Sequence, residues 1–142
     1  MRGDNGKIYI LDTSALLTYI EDEKGSDVID ELLIKAEKEE IRIYIAFVSL
    51  TEVYYITIQE KGESEALRRV NLIQSLSLIV EESNEDLNLK AGRLKAANRI
   101  SLADAYIAAL CQQHDGILVH KDPEFESLSP LIKECRLPYK NS

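Results

Sequence analysis

The chain has 142 residues and a formal net charge of −8, with 45% hydrophobic and 30% charged residues. That length fits one domain, since domains peak at roughly 100–150 residues, and a chain of this size buries about two-thirds of its unfolded surface without staples. The apolar content excludes intrinsic disorder, no run approaches the ~20 apolar residues of a membrane span, and the acidic balance argues against purely electrostatic nucleic-acid binding. Residues Met1–Gly6 lack the basic-then-apolar pattern of a secretory leader. Cys111 and Cys135, far apart and without paired-ligand spacing, suit a reduced cytoplasmic setting better than a zinc knuckle or a disulfide scaffold.

Hydrophobic patterning switches repeatedly between short runs and helical periodicity. Lys7–Leu11 is a predicted first strand, followed by a helix from about Ser14 and a second over Ser26–Glu39, where Val28, Ile29, Leu32, Leu33 and Ala36 share one face. Ile41–Ala46, alternating and β-branched, is the second strand. Ser49–Lys61 and Ser64–Gln74 are helices broken at Gly62, and Leu76–Val80 is the third strand. Helices over Asn84–Asn98 and Ser101–His114 precede a fourth strand, Ile117–Val119, and a short edge strand at Leu131–Lys133. Such alternation predicts an α/β domain spanning residues 1–142, a largely parallel sheet of four or five strands flanked by helices.

Four acids stand where an apolar segment ends and a helix begins. Asp12 follows the first strand, Glu52 comes shortly after the second, Asp104 lies in the first turn of the Ser101 helix, and Asp122 follows the fourth strand. In an open parallel sheet, ligands bind outside the carboxyl ends of the strands, so these acids are expected to converge there. Clustered carboxylates repel unless cations neutralise them, and an oxygen-only donor set selects a hard ion, Mg²⁺ or Mn²⁺.

Each acid also has a plainer explanation. Ser49-Leu50-Thr51-Glu52 and Ser101-Leu102-Ala103-Asp104 fit the capping box or its Asp variant, Asp122-Pro123 fits an N-cap with proline at the first helical position, and Asp12 suits a cap. Taken singly, capping is the better reading of each. Caps have no reason to gather at strand ends, however, and Asp104 is the only charge in the apolar stretch Leu102–Leu110. A lone buried carboxylate is costly unless paired or metal-bound, which favours a shared metal site.

In this order and context the four positions resemble the PIN-domain ribonucleases, most closely the VapC-type toxins, over about Ile8 to Ile132. Ile10-Leu11-Asp12-Thr13-Ser14-Ala15-Leu16-Leu17 is similar to the first motif, Ser49-Leu50-Thr51-Glu52-Val53 to the second, Leu102–Ala109 to the third and Leu118–Phe125 to the fourth. The resemblance implies metal-dependent hydrolysis of RNA leaving 5′-phosphate and 3′-hydroxyl ends, a homodimer, and a small antitoxin whose tail covers the acidic cleft. Asp12, Glu52 and Asp104 are expected to form the main metal site. Asp122 is expected at its rim, holding a second ion or the attacking water, with Ser14 as the supporting hydroxyl. One position departs: the family usually offers Thr or Ser two residues before the last Asp, and here that residue is His120.

The acid-free stretch Leu87–Ala103 carries Lys90, Arg93, Lys95 and Arg99, a strip suited to RNA phosphates or simply a solvated helix face. Tyr54 and Tyr55 suit packing better than base stacking. Two other readings compete with a toxin nuclease: a housekeeping RNA-processing nuclease without an antitoxin, and a non-catalytic Mg²⁺-binding module. The second is motivated by His120 in its degenerate-nuclease form. Its phosphoacceptor form fits poorly, because Asp12 has no adjacent acid.

Overall fold

The structure, a computed structural model, describes residues 6–128 and 131–139. The leader reading of Met1–Gly6 therefore falls almost wholly outside the described residues. Elements follow in the order β1 (Ile8–Leu11), α1 (Thr13–Ile20), α2 (Ser26–Glu37), β2 (Arg42–Ala46), α3 (Phe47–Lys61), α4 (Glu63–Ser75), β3 (Ile79–Glu81), α5 (Glu85–Ala97), α6 (Leu102–His114), β4 (Ile117–His120), a 3₁₀ helix (Pro123–Leu128) and β5 (Lys133–Arg136). The five strands form one sheet in the order β3-β2-β1-β4-β5, with every pairing parallel. This is the α/β architecture expected from the sequence.

Alternation along the central strands separates two cores. Ile10 of β1 and Leu118 of β4 face α5 and α6, joining Leu87, Ala91, Ile107 and Leu110. Tyr9, Leu11 and Val119 face the other side, with Leu16, Ile29, Leu33, Val53 and Ile73 from α1 to α4. Successive strand side chains point to opposite faces, so both faces are covered and the strands are nearly continuously apolar. From β1 the chain moves out to β2 and β3, then returns through α5 and α6 to β4 on the other side. The boundary between β1 and β4 is thus the topological switch point, where a crevice opens at the carboxyl ends. The backbone N–H of Asp12 donates to the Val119 carbonyl there, at 3.2 Å, which ties the two strand ends together.

Several boundaries move from their expected places. Glu39 takes a left-handed φ of 61° and its N–H closes on the Ala36 carbonyl, so α2 stops at Glu37 and not Glu39. Helix α3 starts two residues early, at Phe47, which puts Ser49 inside the helix. The third strand is Ile79–Glu81 and not Leu76–Val80, because pairing with β2 begins only at Tyr44↔Ile79. The edge strand is Lys133–Arg136 and not Leu131–Lys133: the N–H groups of Leu131 and Ile132 both return to the Leu128 carbonyl and close a turn.

One buried charge belongs to the scaffold. Arg69 on α4 is 4% exposed, and it donates to Glu21 at the end of α1 and to Glu65 on its own helix, each at 3.0 Å. Its Nη1 also lies 3.5 Å from the Thr57 hydroxyl on α3. Removing the guanidinium leaves a void, takes from Glu21 the cation that pairs with it, and leaves Glu65 to Arg68 alone. Arg69→Ala is therefore expected to cost about 2 kcal/mol of stability in thermal or urea unfolding, and Arg69→Met, which refills the space, less.

Candidate metal centre

The acids at the switch point are placed by backbone and hydroxyl groups. Asp12 is the N-cap of α1, its Oδ1 accepting the Ala15 N–H at 2.7 Å. The Ser14 hydroxyl donates to the same carboxylate, 2.7 and 2.8 Å from its two oxygens, and itself accepts the Lys121 backbone N–H at 2.9 Å. Ser14 thus locks the end of β1 to the segment after β4. Asp122 caps the 3₁₀ helix, with Oδ1 accepting the Glu124 N–H at 2.9 Å. Each of these two acids is a cap and also lies beside the other acids.

Glu52 and Asp104 are not caps. The N-cap of α3 is Ala46, with no side-chain cap bond, and Glu52 instead accepts the Thr13 hydroxyl at 2.6 Å, with Ser49 3.2 Å from that hydroxyl. Ser101 caps α6 by accepting the Asp104 N–H at 3.1 Å, but the return half of the capping box is supplied by Glu124, whose Oε1 accepts the Ser101 N–H at 2.7 Å. The Asp104 carboxyl is left free of capping duty and turned towards the other acids.

Asp104, Asp122 and Glu124 each offer a carboxylate oxygen within 4.8 Å of the other two, the only such group of three among the described residues. Asp12 and Glu52 adjoin them closely enough for their charges to act on one another. Burial pushes the Asp12 carboxyl up to about 7, against the lowering hydrogen bonds from Ser14 and Ala15, and the charges of Asp122 and Glu52 push it the same way. Burial also pushes Asp104 up to about 8, helped by its hydrogen bond with Glu124 and by the charges of Asp122, Glu124 and Asp12. Among the described residues no Lys or Arg forms an ion pair with Asp12, Asp104 or Asp122. The oxygens of Asp104, Asp122 and Glu124, gathered within a single ion's span, fit a hard divalent cation.

The sequence-based expectation put Asp12, Glu52 and Asp104 together around one ion with Asp122 at the rim; among the described residues only Asp104 of those three joins such a group, and Asp122 sits inside it. The same expectation passed over Glu124, two residues beyond Asp122 in Asp122-Pro123-Glu124-Phe125. The only available signal was the need of Ser101 for a partner on its N–H. His120 does not face the carboxylates with its ring: it is fully buried, its Nε2 2.8 Å from Glu134 Oε1, and it meets Asp122 only at the backbone N–H. Lys90 and Arg93 line a pocket of about 380 Å³ with Gln112 and Leu131. Gln112 lies eight residues beyond Asp104 in α6, about 12 Å along the helix axis. Lys95 and Arg99 are exposed, and among the described residues none of the four cations bonds to a cluster acid. Tyr54 donates to Glu63 across the α3–α4 turn, and Tyr55 is exposed. Among the described residues no helix is long and apolar enough to cross a membrane.

No curated protein matches this sequence. Solved structures do match the fold. The VapBC2 structure from Rickettsia felis bound to a promoter DNA fragment superposes with a TM-score of 0.74 at 18% identity, covering 92% of this chain and 98% of that one. A DNA-bound VapBC from Salmonella typhimurium gives 0.72 at 18% identity, with the same coverage of 92% and 98%. VapC20 of Mycobacterium tuberculosis, described as a sarcin-ricin loop cleaving toxin, gives 0.66 at 16% identity over 84% of this chain and 93% of that one. At such identities the likeness shows shared fold alone. A family model described as PIN domain matches residues 9–129, a span that holds Asp12, Glu52, Asp104, Asp122 and Glu124 together. The chain belongs to the PIN domain family.

Proposed function

We propose that residues 1–142 form one metal-dependent endoribonuclease unit, the toxin of a toxin–antitoxin pair, acting on RNA in the cytoplasm. The observation that carries this reading is the gathering of five carboxylates at the switch point, two of them buried and pushed up to about 7 and 8. Asp12, Glu52, Asp104, Asp122 and Glu124 would hold Mg²⁺ or Mn²⁺. Once bound, such ions lower the pKa of coordinated water and neutralise charge on the scissile phosphate.

The chain's own residues supply the arrangement. Ser14 holds both oxygens of Asp12, Thr13 pins Glu52, and the Ser101 N–H holds the Glu124 carboxylate beside Asp104 and Asp122. Rigid placement of this kind lets charge stabilisation act without reorganising the site during the reaction. Lys90, Arg93, Lys95 and Arg99 contact the RNA backbone away from the cleaved bond. Toxin status rests on likeness, since neighbours in fold include the Rickettsia and Salmonella VapBC structures and a toxin–antitoxin complex from Klebsiella pneumoniae; the homodimeric state is what the sequence resemblance to VapC-type toxins implies. The cytoplasmic setting is supported by the two free cysteines, Cys111 and Cys135.

The test is cleavage of a mixed RNA pool by purified protein with Mn²⁺, with Mg²⁺, and with chelator. Fragments carrying 5′-phosphate and 3′-hydroxyl ends are expected with either metal and none with chelator. Mn²⁺ binding without cleavage would favour the non-catalytic module, whose motivation was His120. That ring's turn towards Glu134 supports the catalytic reading instead. A housekeeping role is separated from a toxin role by co-purification of a small DNA-binding partner from the native source.

A further inference from the structure

His120 ends β4, and the register pairs Leu118 with Glu134 and His120 with Arg136, so Glu134 of β5 is the diagonal neighbour of His120 on the same sheet face. His120 is wholly buried, its ring centroid 5.2 Å from that of Phe125, and the Glu134 side chain is 8% exposed. The Asp122 backbone N–H donates to His120 Nδ1 at 3.1 Å, and His120 Nε2 stands 2.8 Å from Glu134 Oε1. An Nδ1 that accepts a hydrogen bond carries no proton, so in the neutral ring the proton sits on Nε2 and is donated to Glu134; the hydrogen-bond network assigns this tautomer. The guanidinium of Arg136 lies 3.2 and 3.4 Å from the two Glu134 oxygens and holds the carboxylate in place. Asp122 is therefore anchored twice, through its own N–H by His120 and through its Oδ1 by the Glu124 N–H.

We propose that Glu134 and His120 are positioning residues for Asp122. Glu134 selects the Nε2–H tautomer, and only that tautomer leaves Nδ1 open to hold the Asp122 backbone in the orientation that brings its carboxylate beside Asp104 and Glu124. In the other tautomer Nδ1–H would face the Asp122 N–H, donor against donor, and the segment would shift. The geometry stands on its own; its purpose rests on the metal-site reading above.

Two measurements decide it. The first is a ¹⁵N histidine spectrum at neutral pH, simple to assign because the chain has 2 histidines. His120 is expected to show a protonated Nε2 and an unprotonated Nδ1, and Glu134→Leu is expected to lose that signature. An Nδ1–H tautomer in the wild type would overturn the proposal. The second is Mn²⁺ titration of the metal-free protein by calorimetry, with folding checked by circular dichroism. Partners that orient metal ligands typically carry about 10–100-fold in affinity, so His120→Phe and Glu134→Leu are expected to weaken Mn²⁺ binding by about 10-fold or more. His120→Asn, whose Oδ1 reaches the place of Nδ1, and Glu134→Gln, which keeps an acceptor, are expected to bind within about threefold of wild type. Equal affinity for Mn²⁺ in His120→Phe, or no recovery in His120→Asn with both folded, would reduce the pair to packing and sink the proposal. If His120→Phe fails to fold, Glu134→Leu against Glu134→Gln makes the same comparison. A wild type that binds no Mn²⁺ at all would remove the metal reading instead, and the histidine spectrum alone would then decide the pair.

Discussion

Asp104→Asn is expected to lower Mn²⁺-dependent RNA cleavage by about 100-fold or more while the helix that carries it stays intact. The substitution changes one oxygen to an amide and leaves the shape of the side chain alone. Capping of α6 is untouched, because the Ser101 hydroxyl accepts the backbone N–H of residue 104 and not its side chain. What is lost is the charge an ion would meet at an acid whose oxygen lies within 4.8 Å of both Asp122 and Glu124. Glu124→Gln should cost less, since its Oε1 can go on accepting the Ser101 N–H while the other position loses charge. The check is a single-turnover cleavage assay on all three proteins beside their circular dichroism spectra. Wild-type rates in Asp104→Asn would remove the acidic cluster from the chemistry.

How far the sequence reveals this arrangement depends on whether a residue's role is settled nearby or far away along the chain. β1, β2 and β4 are visible because each is a short apolar run bounded by helical periodicity, and central strands of a covered sheet need little else. The edges β3 and β5 drift by two or three residues because pairing, not composition, decides where an edge strand begins. Leu131 and Ile132 are apolar enough for a strand but spend their N–H groups on the Leu128 carbonyl. The same division holds at the site. Asp12, Glu52, Asp104 and Asp122 stand out because Asp12 and Asp122 come just after apolar strands, while Glu52 and Asp104 lie in the early turns of helices. Glu124 does not, because its place depends on the Ser101 N–H, 23 residues earlier. His120 and Glu134 come together only through the register of β5, which no local pattern reports. The capping pattern misleads in one case: Ser49 to Glu52 reads as a box, yet α3 begins at Phe47 and Thr13 takes Glu52 instead.

The metal-free protein is expected to lose stability as pH rises from about 5 to 8, and Asp12→Asn to lose less. The folded protein holds Asp12 up to about 7 and Asp104 up to about 8, mainly by burial, while an unfolded carboxyl titrates near the ordinary aspartate value of 3.8. Between those limits the folded state binds more protons than the unfolded state. Raising pH therefore favours unfolding, by about 1.4 kcal/mol per pH unit for each full proton of difference. The stabilisation is complete below about 4 and is gone once pH passes the folded values. Asparagine at position 12 keeps an oxygen to accept the Ala15 N–H, and Asn caps as well as Asp, so the substitution isolates the charge from the cap. From pH 5 to pH 8 the variant should gain on wild type by about 2–3 kcal/mol, and it should melt higher at pH 8. Saturating Mn²⁺ should reverse the order at pH 8, because a ligand at 100 times its dissociation constant adds about 2.7 kcal/mol to the state that binds it. Chelator should restore it. Melting curves at pH 5, 6, 7 and 8, with and without Mn²⁺, measure all of this. A variant less stable than wild type at every pH would mean that the carboxylate is there for the helix, and that its charge is balanced by something other than a metal ion.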